Sequence, residues 1–252
     1  MCNGEENRII RKKQYCGDKS LRSFVVPEGT TEIGDWAFSR CGELRKIDVP
    51  VSVVYIGKEA FTGCDKLKEA TLYGGAKPFA DGLKGTLAIA LRFFPDAEQM
   101  LQAGKEGEDI YLAVWDLACH RFLERPDEEG YRPFLAGGEE DYEEEEAGRD
   151  KFCRVRRHIK VKIILERLLA SKRDGEYYLA KLHNYDEALE VLAASDLWPG
   201  ALVEIYEEAK LLTRESCGRV LGMMPEENVE LRAILLQKMA KHSRNALDEL
   251  LL

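Results

Sequence analysis

Residues 33–50 read IGDWAFSRCGELRKIDVP, and residues 56–73 read IGKEAFTGCDKLKEATLY. The two segments begin 23 positions apart, and six residue types recur in them at identical spacing. These six are Ile, Gly, Ala, Phe, Cys and Leu, which begin at Ile33 in the first copy and at Ile56 in the second. A fixed period of about 20 to 30 residues is typical of a solenoid, in which each repeat forms one coil and buries its apolar face against the next coil.

The end of each copy predicts a short strand. Apolar residues alternate there with Lys46 and Asp48 in the first copy, and with Glu69 and Thr71 in the second. Because successive side chains of a strand point to opposite faces, we expect these four to point outward and their apolar neighbours to point into the coil. Residues 21–27 show the same spacing and predict an earlier coil. The four outward residues are our first candidates for binding a partner.

The recurring residues also predict what fills the interior of the stack. We expect Phe38 to lie over Phe61 and Cys41 to lie over Cys64, because coils in register place equivalent residues in one column. A free cysteine behaves as a small apolar residue, so both thiols are predicted to pack in the core. A disulfide between adjacent coils is the alternative, and it needs an oxidising compartment.

These two segments resemble the BspA-like class of leucine-rich repeats, whose pattern is close to I-G-x-x-A-F-x-x-C-x-x-L-x-x-I-x-[IVL]-P. Proteins of this class are often secreted and carry many repeats. The resemblance implies a right-handed solenoid with a parallel sheet on one side, used for protein recognition or adhesion. Tyr73 replaces the final proline of the second copy, so we expect the array to stop there.

After Gly74 and Gly75 the apolar spacing changes to that of helices, and the first of these helices are predicted to cover the open end of the stack. The predicted fold class is α/β plus all-α. A short leucine-rich-repeat solenoid with a small parallel sheet occupies residues 8–75, and an α-helical domain of helix pairs, similar to an α-solenoid, occupies residues 76–252.

The helices of the α-helical domain are predicted at about 83–93, 95–101, 108–124, 149–172, 176–182, 185–194, 199–212, 213–221 and 225–241. Thr213 is expected to be a weak helix cap, since Ser216 stands at the position where an acid completes a capping box.

Charge is unevenly distributed in the helical part. Residues 126–148 hold prolines, glycines and an acidic run at 139–146, so we expect this segment to be irregular and mobile. The helix that follows is predicted to carry a basic face, which includes Arg154 and Arg157, opposite an apolar face that includes Val155. That basic face is either solvated, or it binds the acidic run or an acidic partner. Arg154 and Arg157 are therefore further candidate partner-binding residues.

Composition argues against several classes of function. The net charge of −9 disfavours binding to nucleic acid or to an anionic membrane, and no apolar run is long enough to span a bilayer. The N-terminus lacks the apolar core of a secretory signal, and the seven cysteines contain no C-x-x-C pair. We expect a cytoplasmic protein with reduced thiols, unless a signal has been removed.

The sequence contains no familiar catalytic motif. It lacks a phosphate-binding glycine loop, a G-x-S-x-G elbow and a metal-binding histidine pair. We therefore predict no catalytic, cofactor-binding or metal-ligating residues and no enzymatic activity. The preferred function is a scaffold that binds a protein or peptide through repeat surfaces. The alternatives are a fragment of a surface or adhesion protein, and an enzyme whose site lies at the junction of the two domains.

Overall fold

The computed structural model describes residues 9–131, 141–171, 175–195 and 199–250, and it describes side chains for all of these except 141–145 and 242–250. The chain divides into two compact units, Met1–Glu124 and Arg125–Leu252. The sequence-based boundary at residue 75, where one kind of repeat gives way to another, stays a prediction. Residues 132–140, which belong to the predicted mobile segment, lie outside the described residues.

The first unit begins with three coils joined by two parallel sheets. One sheet contains β2 (Ser23–Val25), β4 (Lys46–Pro50) and β6 (Glu69–Tyr73), and the other contains β1 (Ile9–Ile10), β3 (Glu32–Ile33) and β5 (Tyr55–Ile56). Every strand pair aligns residues 23 positions apart, as Lys46 with Glu69. The predicted period is therefore the true repeat of the structure. The sequence predicted only the first sheet, because the two-residue strands of the second are too short to show alternation.

The interior of the coils is a column of stacked rings and thiols. The rings of Phe38 and Phe61 are parallel within 7°, with centroids 5.2 Å apart, and Tyr15 stacks on the other side of Phe38 at 5.1 Å. The Cys41 and Cys64 thiols are fully buried, and each donates to a carbonyl of the preceding coil, at 3.0 Å to Tyr15 and 3.1 Å to Phe38. Both predicted columns are confirmed.

The turn side of each coil has a left-handed backbone at two fixed positions. The first is occupied by Lys13, Trp36 and Glu59, with φ of 58°, 53° and 52°. There the N–H of Lys13 donates to the Asp35 carbonyl and that of Trp36 to the Lys58 carbonyl, both at 3.0 Å. Adjacent coils thus bond through their turns as well as through their sheets.

Glycine is required where consecutive coils approach each other most closely. A Cβ built on Gly57 would overlap the backbone of Gly34 and Asp35, and one on Gly34 would lie 2.8 Å from the amide nitrogen of Lys12. Real Cβ atoms do not come this near to backbone atoms. The recurring I-G pair of the repeat therefore sets the spacing between coils.

Three helices complete the first unit. They are α1 (Lys84–Phe93), which follows a 3-10 turn at Asp81–Leu83, then α2 (Ala97–Glu106) and α3 (Glu108–Glu124). Helices α1 and α2 pack on β6, the last strand of the stack, and α3 packs on α2. The predicted cap over the end of the coils is confirmed.

The described residues of the second unit form helices and the loops and turns that connect them. Its elements are α4 (Asp141–Ala170), α5 (Gly175–Leu182), α6 (Ala188–Ala193), α7 (Pro199–Glu208), α8 (Arg214–Met223) and α9 (Val229–Leu250). Helix α4 packs on α5, α6 and α7, while α6 packs on α8, and α9 packs on α7 and α8. The similarity to an α-solenoid stays a prediction.

Helix α4 differs from its prediction in two respects. It begins at Asp141, eight residues before the expected start, so the end of the acidic run is helical and not irregular. Glutamate has a high helix propensity, and negative charge is favourable at a helix N-terminus. Val155, which was predicted on the apolar face of the helix, is 53% exposed. The buried face is instead supplied by the second half of the helix, from Lys160 to Leu168.

The cap of α8 is stronger than the sequence suggested. The Thr213 hydroxyl accepts from the Ser216 amide at 3.1 Å, and the Ser216 hydroxyl accepts from the Thr213 amide at 2.7 Å. Both halves of a capping box are therefore present. Serine completes the box where glutamate is usual, because its hydroxyl also accepts hydrogen bonds.

Candidate functional site

The outward side of β4 and β6 carries the four residues predicted from the repeat. Strand register places Lys46 beside Glu69 and Asp48 beside Thr71, so the four form one surface, which we call the sheet face. The Lys46 ammonium lies 3.5 Å from the Asp48 carboxylate. Lys46 is half-buried and Glu69 is exposed, so this row is the more accessible part of the surface.

Asp48 and Thr71 are more enclosed than the alternation alone predicts. The Asp48 Oδ1 and Thr71 Oγ1 atoms are inaccessible to solvent, and neither has a hydrogen-bond partner among the described residues. The Lys84 ammonium at the start of α1 pairs with Asp81 at 2.6 Å. That hydrogen bond raises the pKa of Lys84, and the nearby charges of Glu69 and Asp48 add to the effect. The first turn of α1 therefore carries a positive charge close to the sheet face.

Tyr73 joins the first and third coils. It occupies the position of Pro27 and Pro50, and its hydroxyl donates to the carbonyl of Val26, two strands away. Burial raises the pKa of this phenol. The missing proline predicted the end of the array, but it did not predict this bond, which fastens the last coil to the first.

A cleft of about 300 Å³ opens on the turn side of the coils, and the sequence reading missed it. All three coils contribute to its lining, with Lys13, Trp36 and Glu59 at one set of equivalent positions, Cys16, Ser39 and Thr62 at a second, and Arg40 from the middle coil. We call it the Trp36 cleft. The half-buried indole of Trp36 donates to the Glu59 carboxylate at 3.0 Å, and the Lys12 ammonium lies 4.9 Å from the ring centroid. The 23-residue period could have identified these columns, since position 13 aligns with 36 and 59.

The coils and both surfaces belong to a region that matches a known family. Residues 4–81 match the family model described as BspA type leucine rich repeat region (6 copies). These residues are similar to a BspA-type leucine-rich repeat region, and we refer to them as the BspA-type region. The match covers less than a third of the chain, and the described part of this BspA-type region forms three coils. The helical region that follows is not assigned by a family model. No curated protein and no solved structure matches the chain.

The other predicted residues, Arg154 and Arg157, lie outside the BspA-type region and pair with carboxylates of their own unit. Arg154 Nη2 donates to both oxygens of Glu190 at 2.9 and 2.8 Å, and Arg157 Nε donates to Glu187 at 2.6 Å. His158 Nε2 lies 3.0 Å from Glu190. The hydrogen bond from Arg154 is the largest cause that lowers the pKa of Glu190. These pairs hold α4 against α6.

Lys160 shows that the basic face is not simply solvated. Its side chain is 5% exposed, and its ammonium lies 2.8 Å from Asp127 Oδ1 and donates to the Arg125 carbonyl at 2.6 Å. A buried ammonium must be paired, and here the loop before α4 supplies the partner. Of the two alternatives left open for the basic residues of this helix, a solvated side chain does not hold for Lys160, which is buried and paired within its own unit.

The described residues offer little for metal chemistry. Among them, no group of three or more His, Cys, Asp or Glu side chains is arranged to hold a metal ion. Burial raises the pKa of Cys64 to about 12.

Within the described ranges, none of the helices combines the length and the apolar character needed to cross a bilayer.

Proposed function

We propose that this protein is an interaction or scaffold protein that binds a protein or peptide partner through the surface of its coil stack. The family match of residues 4–81 carries this proposal, because BspA-type repeats suggest a protein-binding or surface-protein role. Three coils in strict register support it, since solenoids present extended surfaces that make distributed contacts. This proposal rests on the fold, and the charged residues of the sheet face support it.

The sheet face is the surface we propose for this contact. The exposed Glu69 and the half-buried Lys46 carry opposite charges side by side, and the half-buried Asp48 and Thr71 form the second row of this face. A partner is therefore expected to place complementary charges along the strands. Arg154 and Arg157 remain a second proposed contact, although their ion pairs already bind Glu190 and Glu187.

The chain's charge favours a protein partner over nucleic acid or an anionic membrane. A net charge of −9 opposes the approach of a polyanion, which needs a positive surface. Repeat regions of this type are typically non-enzymatic, and our proposal includes no catalysis and no cofactor. We propose a cytoplasmic location, in which Cys41 and Cys64 stay reduced thiols.

A role in a surface or adhesion protein is the second candidate, and the same family match favours it. The two candidates differ in location. Protease treatment of intact source cells, followed by immunoblotting, separates them. A surface protein is degraded under these conditions, whereas a cytoplasmic protein is protected until the cells are lysed.

Site-specific photocrosslinking tests the proposed function. A benzoylphenylalanine placed at Glu69, on the sheet face, is compared with one at Lys66, an exposed residue of the same coil outside that face. We expect position 69 to give a discrete crosslinked product in source cells and position 66 to give none. Equal products at both positions, or none at either, would contradict a partner on the sheet face.

A further inference from the structure

The Trp36 cleft differs in charge from the rest of the molecule. Arg40 and Lys13 are exposed in it, and among the described residues neither has a carboxylate partner. Its carboxylate, that of Glu59, already accepts from the Trp36 indole and lies 3.9 Å from the Lys58 ammonium. The cleft therefore presents two cations that no described carboxylate neutralises, in a chain with a net charge of −9, and the Lys13 ammonium also lies 5.8 Å from the centroid of the Trp36 ring.

Arg40 also occupies a backbone conformation that disfavours it. Its φ is 61°, and the equivalent positions of the adjacent coils hold Gly17 and Gly63, with φ of 77° and 75°. The coil needs a left-handed residue here, and glycine adopts this conformation without a steric cost. Because Arg40 has no carboxylate partner among the described residues, no ion pair within the fold offsets the steric cost of its left-handed backbone. Strained residues of this kind are enriched at binding sites.

The neighbours of Arg40 leave its side chain unobstructed. Gly63 has no side chain, and a Cβ there would lie 3.3 Å from Arg40 Cα and 3.5 Å from its Cγ. On the other side Gly17 has open space where a Cβ would be. Arg40 is therefore the one long side chain at this position of the three coils, and it lines the same cleft as the half-buried indole of Trp36.

We propose that the Trp36 cleft binds an acidic peptide segment of a partner, with a carboxylate placed between Arg40 and Lys13 and the peptide lying along Trp36. Arginine pairs with carboxylates through two parallel hydrogen bonds, which gives such a contact both strength and orientation. The inference rests on the proposed function in that the coils recognise a peptide, and it adds the position and the charge of that peptide. A nucleic acid is disfavoured, because two cations cannot offset its repulsion by the rest of the chain.

The test follows the indole N–H resonance of Trp36 in the ¹⁵N-labelled full chain, assigned by its loss in Trp36→Phe. The probe is a blocked hexapeptide of alternating Gly and Glu, and its control has Gln in place of Glu. We expect the Glu peptide to shift this resonance in a saturable way and the Gln peptide to bind at least tenfold more weakly. Because Trp115 is fully buried, its unchanged resonance reports an intact first unit.

Two variants locate the peptide. Arg40→Gly removes the charge and installs the residue of the adjacent coils, so the fold is expected to persist while affinity falls at least tenfold. Arg45→Gln, an equal loss of charge on the same coil, is expected to leave affinity unchanged within twofold. Unchanged affinity in Arg40→Gly, equal binding of the Glu and Gln peptides, or tighter binding of a ten-nucleotide single strand would overturn the inference. None of these outcomes alters the crosslinking result at Glu69, which tests the proposed function separately.

Discussion

The rings of Phe38 and Phe61, which are 23 residues apart in sequence, lie parallel with centroids 5.2 Å apart. Both side chains are fully buried, so the contact joins two coils through the interior of the stack. Aromatic pairs contribute about 0.5–1.5 kcal/mol beyond the area that they bury. We expect a double-mutant cycle with Phe38→Leu and Phe61→Leu to give a coupling free energy in this range, measured by urea unfolding. Additive effects would show that the two rings do not support each other.

The close approach of adjacent coils at Gly57 predicts a sharp difference between two glycines. Gly57→Ala places a methyl group inside the backbone of Gly34 and Asp35, and we expect it to lower the free energy of unfolding by about 2–3 kcal/mol or more. Gly42→Ala is the matched control, because a Cβ there meets nothing within 4 Å. We expect the control to change stability by less than about 0.5 kcal/mol. Thermal unfolding of both variants makes the comparison, and similar losses would contradict it.

The left-handed position shared by Gly17, Arg40 and Gly63 predicts changes in stability of opposite sign for two substitutions. Arg40→Gly relieves a left-handed non-glycine residue, and we expect it to raise the free energy of unfolding by about 0.5–1 kcal/mol. Gly17→Ala introduces the same strain in open space, and we expect it to cost about 1 kcal/mol. Urea unfolding at pH 7 measures both. A loss of stability in Arg40→Gly would mean that its side chain supports the fold.

Acid is expected to weaken the second unit through Glu190. The hydrogen bond from Arg154 lowers the pKa of Glu190 below its usual value of 4.5. The ionised carboxylate is therefore more stable in the folded protein than in the unfolded chain. The contribution is therefore present above pH 4.5 and is lost as pH falls through the lowered pKa. Because the pair is partly exposed, we expect no more than about 1 kcal/mol.

The measurement compares wild type with Glu190→Gln by urea unfolding between pH 7 and pH 3. We expect the difference in the free energy of unfolding to be largest at neutral pH and to shrink below the usual carboxyl range. A difference that stays constant with pH would show that Glu190 contributes through packing and not through its charge.

The coils could be predicted because a solenoid converts sequence period directly into spatial neighbours. The Phe38–Phe61 column, the outward direction of Lys46 and Glu69, and the helical cap all follow from the 23-residue spacing or from the open end it creates. Helix α3 was predicted with its observed bounds, since its apolar stripe recurs over four turns.

The remaining features depend on contacts between residues far apart in the chain. Nothing local shows that Lys160 is buried against Asp127, which lies in a loop before the helix. The Trp36 cleft was missed for a related reason. The period identifies which residues share a column, but it does not show that the left-handed turn directs three neighbouring columns toward one opening.

Strict register arranges the surface residues of the coil stack in regular rows. A residue and its equivalents 23 and 46 positions away form one line across the coils, with neighbours spaced by about the 4.8 Å of paired strands. Changing one such line alters the chemistry along the whole array while leaving the buried columns intact. Inserting one complete 23-residue unit between the second and third coils would lengthen every line by one position, so that ligand preference and array length can be varied independently.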